Sequence, residues 1–176
     1  MSLPQPPKLA KLVTGLFLND KALFDRLASE LTSAFGSMDI ITSWVPFDYT
    51  NYYESEMGSP LFRRLATFQT LVKQGDLAKF KLTTNRFEEK WLRNGKRTVN
   101  IDPGYLLHER FVLASGKNCS HRIYIGHGIY ADLTLVYQHG DFQKLPWTYP
   151  DYADKPIITF LTNVRNKYIV DLKRIS

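Results

Sequence analysis

The chain has 176 residues, of which 44% are hydrophobic and 23% are charged. This length and composition are typical of one compact globular domain and exclude a disordered, collagen-like or disulfide-stapled chain. We therefore expect a single domain over residues 1–176, in which Met1–Lys8, with three prolines, form an extended lead-in. No apolar run approaches the roughly 20 residues that span a bilayer, so we expect no membrane partner.

Lysine and arginine number 23 against 17 aspartates and glutamates, which gives a net charge of +6. Such an excess favours anionic partners, namely small phosphorylated molecules, nucleotides or RNA. The positive charge is dispersed, so nucleic acid is the less favoured partner. The single cysteine, Cys119, cannot form an internal disulfide, and together with the lack of a targeting signal this predicts a cytoplasmic protein.

The first third of the chain predicts a β-α-β unit. Leu12–Leu18 is a continuous apolar run that is typical of a buried strand. A helix follows, which begins at Asn19 or Asp20 and stops at Gly36. The segment Asp39–Phe47 then predicts the second strand of the unit.

Two more helices and a short strand are predicted next. Ser59 and Pro60 are typical of a helix start, and the helical stripe that follows consists of Leu61, Leu65, Phe68 and Val72. Phe80–Thr83 is a candidate strand. Asn85 and Glu88 resemble the capping box of a short helix that ends near Asn94–Gly95.

The middle of the chain is rich in predicted strands, which are Arg97–Asp102, Arg110–Ser115, Ser120–Ile125 and Ile129–Tyr137. Pro103 and Gly104 predict a turn directly after the first of these strands. Lys144–Pro156 is a predicted loop, and a helix from Ile157 to Leu172 follows it. The predicted fold class is α+β, a mixed but largely antiparallel sheet with an N-terminal β-α-β unit and helices packed on one face.

The alternation of apolar and polar residues also predicts the register between the last two predicted strands. A three-residue loop, Gly126–Gly128, places the apolar residues of both strands on one face, whereas a two-residue loop would mix the faces. The predicted pairs are Ile125 with Ile129, Tyr124 with Tyr130, Ile123 with Ala131 and Arg122 with Asp132.

Six polar residues of the predicted strands define a hypothesis for the site, in which they share one sheet face and line a cleft. They are Asn100, Asp102, Arg122, Tyr124, Tyr130 and Asp132. The same alternation also fits a solvent-exposed face of an antiparallel sheet, in which tyrosines and charged pairs stabilise neighbouring strands. Both interpretations stay open.

Acidic residues near this face suggest metal binding and acid–base chemistry. Glu56, Asp102 and Asp132 would hold a magnesium ion, which prefers oxygen ligands, although their spacing is not diagnostic and solvated loop acids are the alternative. Asp102 and Asp132 are also the candidate catalytic residues, together with His121 as a general base near neutral pH.

Basic residues after Gly116 form the best candidate for an anion site. Lys117 and Arg122, close to His121, would hold a phosphate or carboxylate, and an exposed strand entry is the alternative. Two aromatic loops would stack on or enclose the ligand through Tyr52, Tyr53, Tyr149, Asp151 and Tyr152, the second loop acting as a wall or lid. Rings that only pack the loops onto the core are the alternative.

The sequence contains no GxxxxGK[ST], GxGxxG, GxSxG or HExxH motif. One cysteine and four scattered histidines do not suggest a zinc site. Cys119 as a nucleophile would depend on the neighbouring His121 alone, and such pairs arise often by accident.

Several ordered segments resemble a family of uncharacterised bacterial proteins, domain of unknown function forty-four sixteen. They are FDYTNYYESEMG, KLTTN with Glu88, RTVNIDPGY, LASGK, HRIY and WTYPDY, and the resemblance extends from Lys8 to Tyr168. It implies a small bacterial cytoplasmic protein with no established activity. Some similar relatives carry an automatic GTP-binding label, but this chain lacks the phosphate-binding loop which that label needs.

The residues together predict that the protein binds, and in the enzymatic case turns over, a small phosphorylated or nucleotide-like ligand in the polar cleft. The alternative is a non-catalytic RNA- or protein-binding module. In that module Lys90, Arg93, Lys96 and Arg97 would matter more than the acidic residues. A homodimer through the aromatic loops is a third interpretation.

Overall fold

A computed structural model describes residues 1–49 and 53–175. Most of its strands form one nine-stranded sheet. The strands are β1 Ala10–Leu18, β2 Met38–Ile41, β3 Val45–Phe47, β4 Leu61–Val72, β5 Leu92–Arg93, β6 Lys96–Arg97, β7 Val99–Leu106, β8 Arg110–Ser115, β9 Arg122–Gly126, β10 Ile129–Gln138 and β11 Asp141–Lys144. The α-helices are α1 Phe24–Phe35, α2 Glu54–Met57, α3 Leu77–Lys90 and α4 Lys155–Ile175. Short 3-10 turns precede α1, α3 and α4, at Lys21–Leu23, Gln74–Asp76 and Pro150–Ala153.

The sheet has the strand order β11-β10-β8-β7-β1-β4-β2, with β3 beside β4 and β9 beside β10. Strands β1 and β2 are both antiparallel to β4, so they run parallel to each other. The predicted N-terminal β-α-β unit is therefore present, with the later strand β4 inserted in its middle. The predicted α+β class with a largely antiparallel sheet is confirmed.

Helices cover both faces of the sheet, because neighbouring residues of a strand point to opposite sides. Leu12 of β1 packs in the same cluster as Leu27 of α1, and Val112 of β8 packs with Leu77 of α3. Val13, next to Leu12, belongs instead to the cluster that contains α4. The prediction that all helices share one face therefore needs correction: α1 and α3 lie on one face and α4 lies on the other.

The segment Leu61–Val72 is the strand β4, so the predicted helix there is wrong. A spacing of four residues, as between Leu61 and Leu65, fits one helical turn and also two strand repeats. Leu61, Arg63 and Leu65 are buried, whereas the residues between them are half-buried, which is the alternation of a strand. The strand brings the charged Arg63 into the core.

One helix, α3, replaces the predicted strand Phe80–Thr83 and the predicted short helix after Asn85. Polar residues, including Lys81 and Glu88, are buried on this helix beside its apolar residues. Because the buried face is partly polar, the apolar stripe that usually reveals a helix is weak in the sequence. Asn94–Gly95, predicted as the helix end, form the turn between β5 and β6.

Strand β7 continues through Pro103 and Gly104, where a turn was predicted. Gly104 is required by the close approach of β8, since a Cβ there would lie 2.5 Å from the carbonyl oxygen of Val112. Pro103 lies where the ladder between β7 and β8 ends, so its missing N–H costs no bond in that ladder. Asp102 is therefore inside a strand and not at its end.

The hairpin of β9 and β10 confirms three predicted pairs, Tyr124 with Tyr130, Ile123 with Ala131 and Arg122 with Asp132. The turn is shorter than predicted, because Gly126 pairs with Ile129 and Ile125 forms a bulge. His127 and Gly128 have φ angles of 56° and 74°, as a tight two-residue turn requires. The bulge inserts one residue and so restores the predicted register beyond it.

Further differences concern element ends. The predicted strand Asp39–Phe47 is two short strands, β2 and β3, which both pair with β4. The predicted loop Lys144–Pro156 is shorter, because Lys144 is the last residue of β11 and α4 begins at Lys155. Met1–Lys8 are exposed and lie outside the regular elements. None of the helices in the described part of the chain has the length and hydrophobicity needed to cross a membrane.

A buried ion network joins β1, β2 and α4. The ammonium group of Lys11, which is fully buried, contacts Asp39 and lies 2.9 Å from Asp171. Lys167 lies 3.2 Å and 2.7 Å from the same two carboxylates. Burial alone would raise the pKa of both aspartates, but hydrogen bonds from the two lysines, and from Thr67 to Asp39, outweigh it and hold each pKa below its ordinary value.

Replacing Lys11 with methionine should lower the free energy of unfolding by about 3 kcal/mol, because two buried carboxylates would then share a single lysine. Urea denaturation at pH 7 measures this loss. Lys144→Met, on the exposed part of β11, is the matched control and should leave the stability nearly unchanged. Equal stabilities of the two variants would contradict the role of the network.

The network also predicts acid sensitivity. Because the pKa of Asp39 and of Asp171 is lower in the folded chain than in the unfolded chain, the stabilisation is complete above the unfolded value near 4. It should disappear as the pH falls through the lowered values. Asp39→Asn should flatten this part of the stability curve, and exchange of the exposed Asp48 for asparagine should not. Superimposable curves for both variants would contradict the expectation.

Candidate functional site

The candidate site begins where β7 and β8 part. Their ladder covers only Gly104–Leu106 and Phe111–Leu113. Beyond the ladder, side chains of α3 replace a strand partner at Ile101. Glu88 accepts the Ile101 N–H at 2.8 Å, and Lys81 donates to the Ile101 carbonyl at 2.9 Å. Because both groups are satisfied, the separation of the strands leaves the Ile101 main chain paired.

The gap between the strands is a cleft of about 720 Å³. Its aromatic residues are Phe17, Phe47, Tyr49, Tyr53, Tyr149 and Tyr152. Its cationic residues are Lys81, Arg97, Lys117 and Arg122, and its carboxylates are Glu88, Asp102, Asp132 and Asp151. The cleft therefore combines an aromatic wall with equal numbers of positive and negative side chains.

Arg97 connects the acidic groups on one side of the cleft. Its Nε and Nη2 donate to the two carboxylate oxygens of Glu56, both at 2.6 Å. Its Nη1 donates to Glu88 at 3.1 Å and to Asn100 at 2.7 Å, and Asn100 in turn donates to Asp102 at 2.8 Å. These bonds lower the pKa of Glu56, whereas burial raises the pKa of Glu88. The side chains of this wall are thus fixed by one another.

Arg122 organises the opposite side. Its Nε donates to Asp132, its Nη1 donates to the Ser115 hydroxyl and to the Lys117 carbonyl, and its Nη2 donates to the Tyr149 hydroxyl, each at 2.9 Å. Burial would lower the pKa of Arg122, but the bonds to Asp132 and Tyr149 outweigh it and raise this pKa. Arg122 therefore fixes the end of β8 and the second aromatic loop, and its contact with an anion stays a prediction.

His121 contacts a lining residue of the cleft, Asp132, without lining the cleft itself. Its Nε2 is 3.2 Å from Asp132 Oδ2, and its ring stacks on Trp147 with 5.1 Å between ring centroids. The sequence did not reveal these two partners, which orient the imidazole. His121 is not a lining residue of the cleft, so its predicted catalytic role stays a prediction.

A buried arginine beneath the aromatic wall was missed in the sequence. Arg63 is 1% exposed, and its guanidinium lies over the rings of Phe17 and Tyr152, at 5.2 Å and 4.1 Å from their centroids. It forms an ion pair with Asp151. Within the described part of the chain, neither its three nitrogens nor the Tyr152 hydroxyl has a partner in hydrogen-bond geometry. Burial lowers the pKa of Arg63 and raises that of Tyr152.

Most of the predicted site residues line the cleft, namely Tyr53, Asn100, Asp102, Lys117, Arg122, Asp132, Tyr149, Asp151 and Tyr152. Tyr124 and Tyr130 share the sheet face of Arg122 and Asp132 but are not lining residues of the cleft, so their contact with a ligand stays a prediction. Their rings contact each other across the hairpin, with centroids 5.4 Å apart, and Tyr124 is 60% exposed. Glu56 is held by Arg97 and is not a lining residue. Tyr52 lies outside the described residues.

The expected magnesium site has no preformed cage. In residues 1–49 and 53–175, no group of three or more His, Cys, Asp or Glu lies close enough to hold a metal ion. Glu56, Asp102 and Asp132 each have their own protein partners, so a magnesium ion would need oxygens from a ligand as well. The magnesium site stays a prediction.

Three lining residues of α3 were not predicted as site residues. Lys81, Asn85 and Glu88 recur every three to four positions and therefore share one face of the helix. That spacing is the signal that could have found them, but it becomes visible only once residues 77–90 are treated as a single helix. The half-buried Asn85 side chain makes no hydrogen bond to the described part of the chain.

The fold and the cleft define an α+β protein whose divided antiparallel sheet encloses a polar and aromatic pocket. The chain belongs to the family described as Domain of unknown function (DUF4416), whose model matches residues 8–168. No curated protein matches the chain. No solved structure matches it either.

Gly15 provides a test of how tightly the cleft is packed. A Cβ at Gly15 would lie 2.6 Å from the Tyr152 hydroxyl oxygen, so Gly15→Ala should displace this ring and destabilise the protein by about 1–3 kcal/mol. Adding Tyr152→Phe removes the hydroxyl and should restore most of that loss. Thermal and urea unfolding of the single and double variants measure the coupling. Strictly additive effects would contradict the close approach.

Proposed function

We propose that the cleft binds a small phosphorylated or nucleotide-like anion. The observation that carries this proposal is the meeting, in one cleft, of cationic side chains such as Lys117 and Lys81 with aromatic rings such as Phe17 and Tyr53. A ligand with an anionic group and a ring uses both kinds of surface. The volume of about 720 Å³ lies in the range of small-molecule sites, roughly 300–1,000 Å³.

The carboxylates of the cleft do not oppose this proposal. Asp132 is paired with Arg122, and Asp151 is paired with Arg63. Asp102 accepts a hydrogen bond from Asn100 and lies 3.3 Å from the Lys81 ammonium. Glu88, the fourth carboxylate, lies 3.1 Å from Arg97 Nη1. Because each carboxylate is already compensated by the protein, an incoming anion does not meet an uncompensated negative charge.

The exposed Lys117 is the residue we expect to meet the anion first. It follows Gly116 at the end of β8, and its charge contributes to the lowered pKa of Glu56, after the hydrogen bonds from Arg97. Its ammonium is therefore near the residues on the α2 side of the cleft. A cation in this position attracts a phosphate that enters the cleft.

The proposal predicts stabilisation by ligand in a thermal-shift and calorimetry screen. The probes are the four ribonucleoside 5′-monophosphates and ribose 5-phosphate. A bound probe at a hundred times its Kd should add about 2.7 kcal/mol of stability. Lys117→Ala should weaken binding about tenfold, whereas Lys144→Ala, on exposed β11, should have no effect. Absence of binding by every probe would remove the proposal.

Magnesium is a second variable in the same screen. If the ion bridges Asp102 and the phosphate, it should tighten binding, and Asp102→Asn should abolish that gain while leaving magnesium-free binding nearly unchanged. Equal affinities with and without magnesium would contradict the magnesium prediction alone.

The alternative, an RNA-binding module, predicts binding of single-stranded RNA that weakens as the salt concentration rises. Such binding would favour this alternative if Lys96→Ala weakens it and Lys117→Ala does not.

A further inference from the structure

Strand β8 directs main-chain groups into the cleft. The Val112 carbonyl points towards β7, because its oxygen would lie 2.5 Å from a Cβ at Gly104. In an antiparallel ladder every second residue turns its N–H and C=O to the same side. Ala114 therefore turns its main chain to the gap, and Gly116 is the first residue after the end of β8; both are lining residues of the cleft.

Gly116 does not pair with β7, although the register of β7 and β8 would give it a partner there. Continued from Gly104 and Leu113, the register of β7 and β8 would pair Gly116 with Ile101. The main-chain groups of Ile101 bond instead to Glu88 and Lys81. No hydrogen bond to the Gly116 main chain is present within residues 1–49 and 53–175. Gly116 lines the cleft, and its N–H and C=O have no hydrogen-bond partner among the described residues.

Asn85 offers a second donor and acceptor that have no hydrogen-bond partner among the described residues. Its side chain lines the cleft, and its amide carries both a donor and an acceptor that no described residue uses. It belongs to α3, between the two residues that cap Ile101. The α3 side and the β8 side of the cleft therefore each present neutral donors and acceptors in addition to charged groups.

A phosphate offers only acceptors above its second pKa and cannot satisfy a carbonyl oxygen. A planar heterocyclic base presents donors and acceptors side by side along its edge, and its faces stack on aromatic rings. We propose that the ligand carries such a nucleobase-like ring, whose edge pairs with the Gly116 main chain and the Asn85 amide. This inference rests on the proposed function and specifies the class of ligand.

Comparison of probes separates this inference from the proposed function. At least one ribonucleoside monophosphate should bind ten times more tightly than ribose 5-phosphate, which carries the same phosphate without a base. If ribose 5-phosphate binds as tightly as all four monophosphates, the cleft is an anion site and the inference about the base is overturned. If no probe binds, both the inference and the proposed function are overturned.

A matched pair of variants tests the contact to the main chain. A Cβ at Gly116 meets no atom within 4 Å, and its φ lies outside the left-handed region, so Gly116→Ala should bind like the parent protein. Gly116→Pro removes the N–H as well and should weaken the monophosphate about tenfold without changing ribose 5-phosphate binding. Equal losses for both probes, or none for either, would overturn the contact.

Asn85→Ala gives an independent test if Gly116→Pro does not fold, which thermal unfolding of the ligand-free variant reveals. It should reduce the preference for the monophosphate over ribose 5-phosphate about tenfold. Asn85→Gln keeps the amide and should retain part of this preference. A preference that is unchanged in Asn85→Ala would overturn the role of Asn85 in reading the base.

Discussion

Two hydrogen bonds from α3 hold the main chain of Ile101 where a neighbouring strand would otherwise lie. An unpaired, buried main-chain group costs about 1–3 kcal/mol, so β7 can leave β8 only if other groups satisfy it. Glu88 and Lys81 do this, and they also become part of the cleft wall. The same bonds therefore stabilise the fold, fix α3 beside the sheet and create the space in which the candidate site lies.

The elements that follow from local periodicity were predicted well, and those that depend on tertiary context were not. Strand β8 and the register of β9 with β10 are read directly from alternating apolar and polar residues. The spacing of Leu61, Leu65, Phe68 and Val72 predicts a helix for β4, because steps of four residues suit both structures and residues 65–68 are buried on both faces of the strand. Helix α3 was divided because its buried face contains Lys81 and Glu88, whose partners lie in a distant strand.

The candidate site shows the same division. Asn100, Asp102, Arg122 and Asp132 were expected to lie together, and they do line one cleft because strand alternation fixes their direction. The burial of Arg63 could not be predicted, because the groups that compensate its charge, Asp151 and the surrounding rings, are distant in the sequence. The two tyrosines of the hairpin were assigned to the cleft because alternation does not show how far a cleft extends along a strand.

The contacts between the two ends of the chain have a consequence for its synthesis. Lys11 is bound by Asp171, and the Leu9 carbonyl accepts a hydrogen bond from Tyr168 at 2.8 Å. A nascent chain on the ribosome carries the lysine long before its aspartate partner emerges, and β1 has to wait also for β4 and β7. Strand β1 therefore has both of its sheet partners only once β7 has been translated, and its contacts to α4 form only after residue 171 has been added.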